Sequence, residues 1–360
     1  MAKKSKNCGC ADNSRLGKVG GQAVLEGVMM KAGSRTVTSC RKEDGSVFVQ
    51  DGTFVSVRKK HKFLNIPILR GVINFVEMMI LSVKTLSASA DALEIEDEEG
   101  KCEMWLKKHL GIRLTDVIMI IGTVLGVVLS LFLFMYLPNL FSSLIDKYLA
   151  KGNLGLWTAV VEGGVKILIF IAYLWLVSFV PDIKRTFMYH GAEHKTIFCY
   201  EHGKELTVEN VRNEGRFHPR CGTSFLILMV IVSIAVSFFI DPLLFLITQD
   251  PGMLDGSRYF AIRMAIKILL IPFIMGLGYE LIKLAGKHDN FFTRIISAPG
   301  VWLQHITVLE PTDDMIECAI LAFTEVIPEE EKVKQSEIVT ETDIAAETKA
   351  ETETETTTEE

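Results

Sequence analysis

Cysteine is sparse and unpatterned in this 360-residue chain: seven residues, at positions 8, 10, 40, 102, 199, 221 and 318, an odd number with no repeating interval. That excludes a disulfide framework and argues for a reducing compartment. Cys8 and Cys10 form a lone C-x-C beside three lysines and read as a thiol pair without a role. The basic start, Met1-Ala2-Lys3-Lys4-Ser5-Lys6, has no apolar stretch behind it, so no cleaved export signal is expected. The run from Gly20 to Met30 lacks the G-x-G-x-x-G and P-loop spacings, which removes the usual argument for nucleotide binding. Basic and aromatic residues do not cluster together, so nucleic acid is not an expected partner.

Charge is scarce where apolar residues run long. Hydrophobic residues make up 49% of the chain, well above what a soluble protein of this size needs. Crossing a hydrocarbon layer of ~30 Å takes ~20 apolar residues in a helix. Four segments approach this: Val117–Leu137, Leu156–Val180, Ser224–Ile240, with the option of continuing past Asp241-Pro242, and Ala261–Leu281. The expected fold is therefore mainly α, a polytopic helical membrane protein of about four spans, with the lipid bilayer as its first partner. Residues 181–222 hold seven Lys/Arg, against two in 138–155 and one in 241–260, so the middle loop and both termini are expected on the cytoplasmic side. Glu162 and Lys166 are one turn apart, as are Arg263 and Lys267, and pairing between the two spans is the expected use of these charges.

The remainder divides by composition. Residues 1–15 are a flexible start. Within 16–112, the segments Thr36–Cys40, Ser46–Gln50 and Thr53–Val57 alternate apolar and polar residues and predict a small antiparallel meander. Residues 63–93 are apolar but broken by Arg70, Glu77 and Lys84, which predicts an interfacial or bundle-packing helix rather than a span. Residues 94–100 read as an acidic linker, and 113–285 as the four-span domain with its histidine loop at 181–222. In 286–328, Thr312-Asp313-Asp314 opens a helix with Met315, Ile316, Ala319, Ile320, Phe323 and Ile327 on one face. The formal net charge is −6, but residues 329–360 carry 12 acidic and 3 basic residues, leaving the rest at +3. This Glu/Thr-rich tail has no aromatic residue and is expected to be disordered.

The sharpest chemical signal is His190-Gly191-Ala192-Glu193-His194, of the form H-x-x-E-H. Histidines four apart on a helix point the same way and can chelate one divalent metal, zinc above all, while the glutamate between them activates water. Pro181 and Asp182 suit a helix start, and Ile183, Phe187, His190, His194 and Ile197 then share a face. Against this stands the plain alternative of two hydrogen-bonded histidines in a core. His218 and Cys221 add two more donors three apart. His218 is the expected third metal ligand, Cys221 the second choice and Glu280 the third, with Glu193 as the catalytic base. If His190, His194, His218 and Cys221 all bound, the site would be closed and structural. Glu26 is a further catalytic candidate if the turn at 20–30 folds against the histidine loop. His305 and Glu310 read as packing and capping residues.

Five ordered motifs, Gly20–Met30, Tyr189–Lys195, Arg216–Phe225, Gly278-Tyr279-Glu280 and Pro299-Gly300-x-x-Leu303-Gln304, together resemble the YqhQ-like family of bacterial membrane proteins over about residues 16–327. The resemblance implies a multi-pass protein of the bacterial cell membrane, of unknown function and described as a predicted metal-dependent enzyme. It implies Glu26, His190, Glu193, His194, His218 and Cys221 as candidate site residues. The expectation is a metal-assisted hydrolase acting on an unidentified substrate at the cytoplasmic membrane face. The alternatives are a metal-stabilised scaffold or, with a homo-oligomer, a transporter.

Overall fold

A computed structural model describes residues 15–93, 114–151, 157–248, 257–285 and 291–328. The expectations for Cys8, Cys10, residues 94–100 and the tail from 329 lie outside the described residues. The protein is mainly helical, with an N-terminal antiparallel sheet in the order β1 (Val19–Val24), β2 (Gly27–Ala32), β3 (Arg35–Arg41) and β4 (Val47–Thr53). Helices follow: α1 (Val57–Lys60), α2 (Leu69–Ala92), α3 (Leu114–Leu131), α4 (Leu137–Ile145), α5 (Trp157–Val177), α6 (Pro181–Glu201), α7 (Val208–Arg212), α8 (Gly222–Thr248), α9 (Ser257–Ala285), α10 (Phe291–Thr307) and α11 (Asp313–Val326). Five-residue π-helical turns, Phe132–Tyr136 and Asp146–Ala150, flank α4 and carry α3 onward without a break.

The sheet corrects the expected meander. Two of its strands match β3 and β4, but Thr53–Val57 does not continue as a third. Ser56 instead accepts from the Arg58 N–H to cap α1 and donates to the Glu77 carboxylate of α2. The missing partners are β1 and β2, joined by the two-residue turn Leu25-Glu26 with Glu26 at φ 47°. Hairpin turns with positive φ favour Gly, Asn or Asp, so Leu-Glu gives no turn signal.

The sheet is covered on both faces. Val28, Met30 and Val37 pack with Tyr189 and Ala192 of α6 and Met315, Ile316 and Phe323 of α11. Val24, Met29 and Cys40 pack with Leu81 of α2 on the other face. Fully burying an apolar side chain such as Ile316 or Phe323 contributes about 1.5–3 kcal/mol, so α11 is anchored by the face its sequence periodicity predicted.

Among the described residues five helices are long and apolar enough to cross a bilayer: Leu69–Ala92, Ile121–Ala150, Trp157–Val177, Gly222–Leu244 and Ala261–Leu284. Side chains such as Leu125, Leu168, Phe239 and Leu269 are exposed on them, as the helices of a membrane protein expose residues to lipid. The expected pairing of buried charges is present: Glu162 on α5 meets Arg263 on α9 at 2.9 Å and also Lys267.

Candidate metal centre

Helix α6 carries the H-x-x-E-H sequence. Pro181 occupies its first turn, where a missing N–H costs nothing, and Asp182 complements the exposed N–H groups there. His190 and His194 share a face, their ring centroids 4.4 Å apart. Between them Gly191 lets α6 touch the segment that follows α10. A Cβ at Gly191 would fall inside the shell of the Leu309 carbonyl oxygen, and the Leu309 N–H donates to the Phe187 carbonyl at 3.0 Å.

A backbone carbonyl meets each imidazole, from the end of α10 for His190 and from the loop before α8 for His194. His190 Nδ1 lies 3.0 Å from the Thr307 oxygen, and His194 Nδ1 lies 2.6 Å from the Arg216 oxygen. A carbonyl only accepts, so in each ring Nδ1 carries a proton, which leaves Nε2 as the nitrogen that can bind a metal. His190 Nε2 is 3.1 Å from Cys221 Sγ, and the His190, His194 and Cys221 ligand atoms all lie within 4.8 Å of one another. Cys221 immediately precedes α8, whose Thr223 N–H points at the sulfur from 3.4 Å. Hydrogen bonds that fix the tautomer and direction of ligating histidines are the usual outer support of a metal site.

Glu193 lies on the same helix, 5% exposed, with Oε2 3.9 Å from His190 Nε2. Burial raises its pKa above the ordinary carboxyl value, against the opposing effects of His190 and the Gly21 N–H. Gly21 is small for this reason: a Cβ there would meet Glu193 Cγ at 2.9 Å and the Met29 carbonyl at 2.8 Å. Gly21 thus serves packing around Glu193, whereas a Cβ at Gly20 would meet nothing within 4 Å.

His218, expected as the third ligand, falls outside the cluster. Its Nδ1 accepts from the Arg220 N–H at 3.2 Å, leaving the proton on Nε2, which faces Glu201 at 3.5 Å. Its ring stands 5.6 Å from His194 by centroids. Burial lowers the His218 pKa, with the Glu201 hydrogen bond acting the other way. Glu201 stays below the ordinary carboxylate value despite burial, because His218, the Gly17 N–H and Arg220 hold its charge. Glu26 also lies apart: its carboxylate pairs with Arg185, and Tyr189 Oη is 3.4 Å away. Glu280 is engaged by Arg70 of α2. Glu310 pairs with Lys195 and, at 2.8 Å, with Arg216.

Sequence reading gave no role to Gln304. It accepts from the His218 N–H at 2.8 Å and donates to the His218 carbonyl at 2.7 Å, fixing the loop that ends in Cys221. Its signal was its place in the Pro299–Gln304 motif. The Thr307 and Arg216 carbonyls had none, since any residue supplies a carbonyl.

The family model described as "Protein of unknown function (DUF1385)" matches residues 66–329. The chain is 34% identical over 314 residues to "Uncharacterized protein YqhQ" of Bacillus subtilis (strain 168), covering 86% of this chain and 92% of that protein. No solved structure matches it.

Proposed function

The chain belongs to the DUF1385 family of proteins of unknown function, and within it we propose that this protein is a membrane-embedded, metal-dependent enzyme, a hydrolase working at the cytoplasmic face. The observation that carries the reading is the clustering of His190, His194 and Cys221, one ligand atom of each within 4.8 Å of the others, while a backbone carbonyl holds Nδ1 of each imidazole and His190 Nε2 lies 3.1 Å from Cys221 Sγ. Two nitrogens and a sulfur suit zinc, and three protein ligands leave one of its four positions open. When bound, such an ion polarises a carbonyl or lowers the pKa of water to ~7. Glu193, 3.9 Å from His190 Nε2, is the group that would take up and return the proton.

One observation favours the second reading, a non-catalytic metal-stabilised scaffold: His194 and Cys221 are 2% and 5% exposed, as in closed structural sites. Glu193→Gln separates the two. In host cells lacking the gene, the enzyme reading expects this variant to retain its metal and yet leave uncleaved substrate in an untargeted comparison of membrane lipids and peptides. Restoration of the wild-type profile by Glu193→Gln would leave the scaffold.

The same contacts support a topology of four spans with both ends cytoplasmic. The sheet and α6 share one core, so an even number of crossings must separate them, yet three candidate spans lie between. Helix α2 is the one that stays on the sheet side. Its first turn packs Gly71 against Gly276 of α9 and joins Arg70 to Glu280, while Thr85, near its other end, meets Gln22 of β1. The seven basic residues of 181–222 favour the cytoplasm for that side. Reporters fused at the N-terminus and inserted after Leu93 are expected to read the same, cytoplasmic side. An external signal at Leu93 would make α2 a span and overturn this topology.

A further inference from the structure

The membrane helices enclose a second polar centre, apart from the histidines. Glu162 is met by Arg263 and Lys267, and Lys166 follows one turn after Glu162, at 8% exposure. Among the described residues Lys166 makes no ion pair or hydrogen bond. Glu162 is thus taken up by Arg263 and Lys267 and leaves Lys166 without a direct partner among the described residues, and uncompensated charge in an apolar medium is costly enough to demand a counter-ion or loss of the proton. Lys166 and Lys267 both line a half-open cavity of about 270 Å³, whose other walls include Phe134, Phe170, Ser233 and Ser237. The cavity lies among α5, α8, α9 and the Phe132–Tyr136 turn, all within segments long and apolar enough to cross a bilayer.

We infer that this cavity binds an acidic amphiphile from the membrane, with its anionic headgroup, a carboxylate or a phosphate, between Lys166 and Lys267. The two lysines supply the charge, Ser237 supplies a hydroxyl donor, the Ser233 hydroxyl being given to the Val230 carbonyl, and the aromatic wall takes the first part of the hydrocarbon chain. About 270 Å³ is below the size of pockets that swallow whole drug-sized ligands, so the rest of the chain runs out along the lipid-facing helices. The pairing of Glu162 with Arg263 and Lys267 holds α5 against α9 and keeps the cavity's charged end in place.

The test compares full-length wild type with Lys166→Met and Lys166→Arg, purified in mild detergent. Native mass spectrometry should detect an acidic lipid on the wild type and on Lys166→Arg, reduced at least fivefold on Lys166→Met. The adduct's mass distinguishes a free fatty acid from a phospholipid. Adding oleate or phosphatidylglycerol to delipidated protein should raise the melting temperature of wild type with the ligand of the matching class, and not that of Lys166→Met. Should Lys166→Met fail to fold, Val230→Trp, which fills the cavity from α8, gives the same comparison. No acidic adduct and no stabilisation by either lipid, or equal binding by wild type and the cavity variants, would overturn the inference.

Discussion

Replacing His194 with alanine is expected to weaken zinc binding by at least about a hundredfold, while replacing His218 with glutamine weakens it by less than about tenfold. Loss of an outer partner alone typically costs ~10–100-fold in metal affinity, and loss of a ligand costs more. His194 offers Nε2 to the cluster because its Nδ1–H is held by the Arg216 carbonyl. His218 has both nitrogens engaged elsewhere, by the Arg220 N–H and Glu201. Competition against a chelator of known affinity, on untagged protein in detergent, measures the difference. Equal losses in the two variants would restore His218 as a ligand and close the site.

Gly191→Ala is expected to lower the apparent melting temperature by about 3–6 °C. Overpacking typically costs ~1–3 kcal/mol, and each kcal/mol corresponds to ~1–2 °C in a chain of this length, below the ~2–4 °C of chains of 150–250 residues. The upper part of the range applies because the atom a new Cβ meets is the Leu309 carbonyl oxygen, which cannot swing away as a side chain end would. Relief requires α6 to separate from the segment after α10, breaking the Leu309 to Phe187 hydrogen bond and drawing Thr307 from His190. The variant should therefore lose metal affinity together with stability. Thermal unfolding with and without added zinc checks both, and an unchanged melting temperature would mean that this contact is looser than described.

The helices of this protein were largely legible because their signals are local. Pro181, Asp182 and the 3–4 spacing of apolar residues define α6 within its own sequence, and the face of α11 can be read the same way. The sheet was half legible, since β1 and β2 turn through Leu25-Glu26, where positive φ is imposed by pairing and by the Arg41 N–H that donates to the Glu26 carbonyl. Thr53–Val57 alternates like a strand, but Ser56 is claimed by Glu77, 21 residues on. The candidate cluster was legible at His190, His194 and Cys221, but the exclusion of His218 from it was not. Four-residue spacing aims His190 and His194 together, whereas the direction of His218 is set by Gln304, 86 residues away.

We propose that His190, His194 and Cys221 hold one transition metal ion. X-ray absorption on untagged protein, with the metal content of wild type and of His190→Ala/His194→Ala measured alongside, tests it most directly. About one zinc per chain is expected, lost in the double variant, with one sulfur at ~2.3 Å and the remaining light atoms at ~2.0–2.1 Å. No stoichiometric metal after reloading, or a first shell without sulfur, would contradict it and leave His190 and His194 as hydrogen-bonded core histidines.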